Sequence, residues 1–155
     1  MSFEAKVAEL GLDLPAAATA GAGLYVPAVL SGNLLYVSGQ VPLKDGAPMA
    51  KGHLGREIDI ETGAALARQC AIQGLGIARS YLGSLDRVTR VIRLGGFVAS
   101  APGFIDHPRV VNGASQLMID VFGDAGRHAR CAVGMAELPL GVPVEVEFLF
   151  EVAPA

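Results

Sequence analysis

Two cysteines, no surplus of positive charge and no export signal set the first limits on this chain of 155 residues. Cys70 and Cys131 sit far apart in apolar, periodic segments with no CxxC arrangement. That usage argues against a disulfide framework or a zinc site, and it points to reduced thiols and a cytoplasmic location. Only 17% of residues are charged, and 12 Lys+Arg against 15 Asp+Glu leave a formal charge of −3. The basic residues are scattered, so the electrostatic stripe that a nucleic-acid partner needs is missing. Met1 to Gly11 carries acids where a secretion signal would have a basic stretch followed by an apolar run, so no export is expected.

Leu14 to Leu43 has no charge at all, yet Pro15, Pro27, Pro42, Ser31, Asn33 and Gln40 interrupt it. Two strands and a turn fit that stretch better than a membrane span, so no membrane partner is expected. His53, His107 and His128 lack partners at ligand spacing, which leaves no metal site. Ser38 lies in Val-Ser-Gly-Gln, without the glycine that a nucleophile elbow places two residues earlier. Gly21-Ala22-Gly23 and Gly74-Leu75-Gly76 lack the strand-turn-helix setting of a phosphate loop, so they read as close packing and no nucleotide cofactor is implied.

What is present is a hydrophobic content of 52% on a length ordinary for one domain. A domain this apolar is expected to hide surface in subunit contacts. Phe3, Val7 and Leu10 recur at helical spacing before Gly11, predicting a short first helix in an N-terminal segment of residues 1–23. Leu24 to Leu30 and Leu34 to Val41 read as a hairpin turning at Ser31-Gly32-Asn33, and 43–57 reads as a loop. Asp59 is a plausible N-cap for a long helix that Gly83 closes. A strand over Arg87 to Val98, with a possible bulge at Gly95-Gly96, precedes a second long helix from about Pro108 to Gly123. Strands over about Ala129 to Glu137 and Val142 to Val152 complete an α-ββ-α-β-α-ββ order. The expected class is α+β, a mixed sheet with two long helices packed on one face.

The last strand alternates without a break: Val142, Val144, Val146, Phe148, Phe150 and Val152 point one way, and Glu145, Glu147, Leu149 and Glu151 the other. Arg130 lies on the strand before it, which suggests either an ion-paired face on neighbouring strands or a site. Tyr25, Ser38 with Gly39 and Gln40, and Asn112 add polar groups to otherwise apolar segments. Each also has a plain structural role open to it, as a rim aromatic, a backbone partner or a helix tie.

Taken together these residues resemble the Rid family, the YjgF-type reactive enamine/imine deaminases with a chorismate-mutase-like domain. The resemblance is carried by Gly32-Asn33-Leu34-Leu35-Tyr36-Val37-Ser38-Gly39-Gln40-Val41-Pro42, Leu85-Asp86-Arg87-Val88, Val111-Asn112, Ala129-Arg130, Glu137-Leu138-Pro139 and Val144-Glu145-Val146-Glu147. Gly52-His53-Leu54-Gly55 and the run from Phe122 to Arg130 are similar to a side branch labelled chorismate-mutase-like or endoribonuclease (L-PSP type).

The resemblance implies a homotrimer with clefts between subunits, where Arg130 would hold a substrate carboxylate and Glu145 would position or activate water. It also implies that Tyr25 and Ser38 line the cleft, that Gly39 and Ala132 offer backbone hydrogen bonds, and that Asn112 supports the site. Glu147 and Glu151 are left as structural acids. Ala132 departs from the cysteine common at that place in the family, which can alter pocket size. No cofactor is implied, and the substrate would be a small enamine or imine carboxylate such as 2-aminoacrylate. Two other readings stay open: a non-catalytic carboxylate-binding or regulatory protein, and RNA cleavage, against which the charge of −3 weighs.

Overall fold

The computed structural model describes residues 2–16 and 24–154. A seven-residue helix, α1 (Phe3–Glu9), is capped by the Ser2 hydroxyl, which accepts from Ala5 N–H at 3.1 Å. It docks on the turn before the middle strand, where the Asp86 carboxylate accepts from Phe3 N–H at 2.6 Å and Glu4 accepts from Leu85 N–H at 2.8 Å. The hairpin forms as β1 (Ala28–Ser31) and β2 (Leu34–Gln40), with Gly32 at φ 61° in the turn. The first strand is shorter than its apolar run, because Pro27 lacks the N–H that a ladder needs. Tyr25, expected on that strand, therefore lies just before it in irregular chain. The segment read as a loop contains a small hairpin, β3 (Leu43–Lys44) with β4 (Ala47–Pro48).

The two long helices are α2 (Ile60–Leu82) and α3 (His107–Phe122). Asp59 caps α2 by accepting from Thr62 N–H at 2.7 Å, and Gly83 ends it at φ 79°, as the sequence predicts. Between the helices runs β5 (Val88–Ala99); β6 (Ala129–Met135) and β7 (Val144–Val152) follow α3. The large sheet has the order β1-β2-β7-β5-β6, antiparallel except for β5 with β6. A parallel neighbour requires a crossover, and α3 supplies it.

Both long helices lie on one face of this mixed sheet, as expected. Phe150, Leu35, Leu75, Leu94 and Leu117 are fully buried between the layers. Helix α2 crosses α3 closely enough that a Cβ on Gly113 would overlap the Ala64 carbonyl. Gly74 likewise lies against the Phe148 ring, where a Cβ would sit 2.6 Å from a ring carbon, so close packing is its role. The bulge expected at Gly95-Gly96 is not there: both pair in register with Glu147 and Val146. The irregularities on β5 fall between Val88 and Arg93 instead, and the glycines are needed because side chains of Glu147 and Val111 cover them. No helix among the described residues is long and apolar enough to cross a membrane.

The other face of the sheet is left uncovered by the described residues. Val29, Tyr36, Val133 and Met135 are exposed there around an ion pair, Arg93 to Glu147 at 2.8 Å. Glu151 accepts from Thr89 at 2.8 Å and Asn33 at 3.3 Å, so both acids left as structural have structural partners.

Candidate functional site

Strand alternation and the β6 register set Arg130, Ala132 and Gly134 on the helix-facing side of an edge strand. There the Arg130 guanidinium lies against α3: Nη1 donates to Asn112 Oδ1 and to Ser115 Oγ, each at 2.9 Å, and Nη2 donates to the Pro108 carbonyl at 3.3 Å. Pro108, Asn112 and Ser115 are four and three residues apart, so one helical stripe provides all three acceptors. All three are neutral, and among the described residues Arg130 has no carboxylate at ion-pair distance. The half-buried Ala132 follows two positions along the same face and packs against the core.

Glu145 belongs to a second group. It is on β7, half-buried, on the uncovered face opposite Phe97 of β5. Its carboxylate occupies the space beside Gly39, where any Cβ would collide with Oε1. Only glycine lets this acid lie down on the β2 backbone. The register of β2 on β7 shifts between Val37 and Gln40, and the Gln40 amide donates to the Ser38 carbonyl at 2.8 Å across that bulge. Ser38 in turn donates from Oγ to the Val26 carbonyl at 2.8 Å and from N–H to Pro27 at 2.9 Å. It thereby ties the segment carrying the exposed Tyr25 to the bulge. Tyr25, Ser38, Gly39 and Gln40 line one cleft, bounded beyond by Gln69 and Gln73 of α2.

The idea that Arg130 faces the glutamates from a neighbouring strand is therefore corrected. Strand β5 lies between β6 and β7, and Arg130 and Glu145 are on opposite faces of the sheet. A chain alternates faces at every residue, so the odd-numbered and even-numbered positions could not share a side once the strands were in this register. Each chain thus holds two separate groups: Arg130 with Asn112 and Ala132 on the helix-facing side, and Glu145 beside Gly39 on the other, with Gly39 also at the edge of the cleft that Tyr25 and Ser38 line toward α2. Ser115 and His128 were missed by sequence reasoning. The available signals were helical spacing from Asn112 to Ser115 and strand spacing from His128 to Arg130.

Burial, with the nearby charge of Glu147, pushes the Glu145 carboxyl above its ordinary value of 4.5. An acid whose folded pKa is raised holds its proton more tightly folded than unfolded. Its contribution to stability is full below 4.5 and is lost as pH rises through the raised value. Glu145→Gln should therefore melt higher than the parent protein at pH 7, with the gap closing as pH falls toward that range. Melting curves across pH test this, and a variant less stable at pH 7 would mean that the charged form gains a compensating partner.

The family model for "YjgF/chorismate mutase-like, putative endoribonuclease" matches residues 4–152. The chain belongs to this family. Protein TCP17 of Trypanosoma cruzi is 49% identical over 148 residues, covering 95% of this chain and 92% of that one. A crystal structure from Agrobacterium tumefaciens, of a protein with unknown function, superposes with a TM-score of 0.90 at 44% identity and covers 98% and 94% of the two chains. A "putative endoribonuclease" from Shewanella oneidensis MR-1 superposes with a TM-score of 0.93 at 31% identity, covering 98% and 100%. The Rid/YjgF resemblance seen in the sequence thus extends over nearly the whole fold. Among the described residues no three His, Cys, Asp or Glu side chains form a group able to hold a metal ion.

Proposed function

We propose that this protein hydrolyses small enamine or imine carboxylates to keto acids and ammonia, in clefts shared between subunits of a homotrimer. The observation that carries this reading is the Arg130 guanidinium. A guanidinium has five N–H donors, and three are used on Asn112, Ser115 and Pro108, leaving Nε–H and one N–H of Nη2. Those two donors can build a bidentate contact to a carboxylate, and the neutral acceptors behind them fix its orientation without cancelling the charge. Glu145 complements it, because burial and the neighbouring Glu147 favour its neutral form, so this carboxyl can hold a proton and hand it on.

For 2-aminoacrylate the reaction begins at carbon. A proton added at the methylene carbon converts the enamine to the iminium ion. Water then adds to the iminium carbon as Glu145 takes one of its protons, and the resulting carbinolamine expels ammonia as that proton is returned to nitrogen and the hydroxyl proton is released. One water is consumed, and the products are pyruvate and ammonia. The reaction already proceeds in water, so holding the carboxylate and aiming one water is most of what the protein must do. Tyr25 and Ser38 would line the cleft, and the backbone at Gly39 and Ala132 would offer hydrogen bonds.

Shared clefts would unite the two groups: the described residues of one chain leave Arg130 and Glu145 on opposite faces, whereas a second copy against the edge of β6 could join them. The exposed Val29, Tyr36, Val133 and Met135 give such an assembly apolar surface to bury. The experiment is to generate 2-aminoacrylate in the presence of pure protein and follow keto-acid release. Acceleration over buffer is expected, and its absence sinks the reading; keto-acid binding without turnover would select the non-catalytic alternative. Mixing inactive Arg130→Ala and Glu145→Gln chains under conditions that exchange subunits should restore about one quarter of the sites, since random pairing joins the two intact halves that often. No recovery on mixing would place both halves of the site in one chain.

A further inference from the structure

His128 lies immediately behind Ser115, one of the three acceptors that hold Arg130, and has no part in the reaction described above. His128 Nδ1 is 2.6 Å from the Gly126 carbonyl oxygen, and its Nε2 is 3.0 Å from Ser115 Oγ. A carbonyl can only accept, so Nδ1 carries the proton and Nε2 of the neutral ring is the acceptor. The Ser115 hydroxyl must then donate to Nε2, which turns its lone pairs toward the incoming Arg130 Nη1–H at 2.9 Å. Every link has one direction only: Arg130 to Ser115, Ser115 to His128, His128 to the Gly126 backbone. Burial, and then the charge of Arg130, hold the ring below its ordinary 6.5 against the Gly126 carbonyl, which favours the protonated form. The ring is therefore neutral at neutral pH, as the chain of bonds requires.

We propose that His128, acting through Ser115, is a positioning residue that fixes the Arg130 guanidinium in its carboxylate-binding orientation. Asn112 and the Pro108 carbonyl hold the guanidinium from other directions, but Ser115 alone of the three is a hydroxyl that can rotate. Without an acceptor beyond it, that hydroxyl is free to offer its hydrogen where Arg130 needs a lone pair. His128 removes that freedom, and the 3-10 turn Gly123–Gly126 fixes His128 from its far side. The inference rests on the carboxylate-anchoring part of the proposed function, and it has a readout that needs no ligand.

The test compares Ser115→Ala, Ser115→Thr and His128→Phe with the parent protein. In nitrogen-15 NMR without ligand, His128 should show the Nδ1–H tautomer, and the Arg130 Nη signals should be split by slow rotation about Nε–Cζ. Ser115→Thr should keep that splitting, because it keeps the hydroxyl; Ser115→Ala and His128→Phe should lose it. By calorimetry with pyruvate, the two disruptive variants should bind roughly 2- to 10-fold more weakly, as for loss of one neutral hydrogen bond. Neither should weaken binding further in an Arg130→Ala background, since residues acting through one group are not additive.

Unchanged Arg130 signals in both disruptive variants, or loss of splitting in Ser115→Thr as well, overturns the proposal. Equal weakening with and without Arg130 also overturns it, since the effect would then bypass the guanidinium. Should the parent protein bind no keto acid, the deaminase reading fails, while the Arg130 and His128 signals still decide the positioning role.

Discussion

Arg130→Ala should weaken pyruvate binding roughly 10- to 150-fold and lower kcat/KM for 2-aminoacrylate by a comparable factor. That range is the loss of about 1.5–3 kcal/mol expected for a hydrogen bond to a charged group. The loss has two parts. In binding, the substrate carboxylate forfeits its counter-charge; in the fold, Asn112 Oδ1, Ser115 Oγ and the Pro108 carbonyl forfeit the donor that all three accept from. Arg130→Lys should recover little, because an ammonium is a point charge and cannot span those acceptors while presenting a parallel pair to a carboxylate. Because the half-buried Arg130 ties β6 to α3 through three hydrogen bonds but has no ion pair among the described residues, its loss should lower the melting temperature only modestly. Calorimetry and a keto-acid assay on the two variants check this, and full activity in Arg130→Ala would remove the carboxylate anchor from the mechanism.

Phe150→Ala should be the most damaging single truncation in the core, costing about 3–5 kcal/mol. Phe150 is fully buried, stacks on Phe148 at 6.1 Å between ring centroids and meets Phe122 of α3 at 6.2 Å. Leu35 on β2 and Val91 on β5 flank it in register, so its ring joins three strands to a helix. The surroundings are two layers held by their own backbone ladders and cannot collapse into the void. A loss this large is a sizeable share of what holds a small domain folded. Denaturant unfolding measures it, and a cost below about 1 kcal/mol would mean that the helices can resettle over the gap.

The helices were legible because their signals are local. Asp59 before α2, Gly83 and Gly123 after the long helices, and the apolar repeats between them act within a few residues of one another. The alternation over β7 showed which of its residues would be buried, for the same reason. The misses have two causes, one local and one tertiary. Pro27 cut β1 back and put Tyr25 outside it, and the glycines at 95 and 96 make room for side chains from β7 and α3 instead of a bulge. Neither effect appears in the periodicity of the segment concerned.

The candidate site divides along the same line. From the sequence alone follow the residue types able to anchor a carboxylate and move a proton, the absence of ligand spacing for a metal, and the family whose motifs recur in order. The sequence also determines that Glu145 lies opposite Val144 and Val146 on its strand, since alternation is a property of the backbone itself. Only the tertiary structure decided that β5 separates β6 from β7, that Arg130 turns toward α3 while Glu145 turns away, and that Ser115 and His128 stand behind the guanidinium. Strand order and the meeting of a helix with a strand depend on contacts between residues distant in the chain. No local pattern encodes which face of one element will close on which face of another.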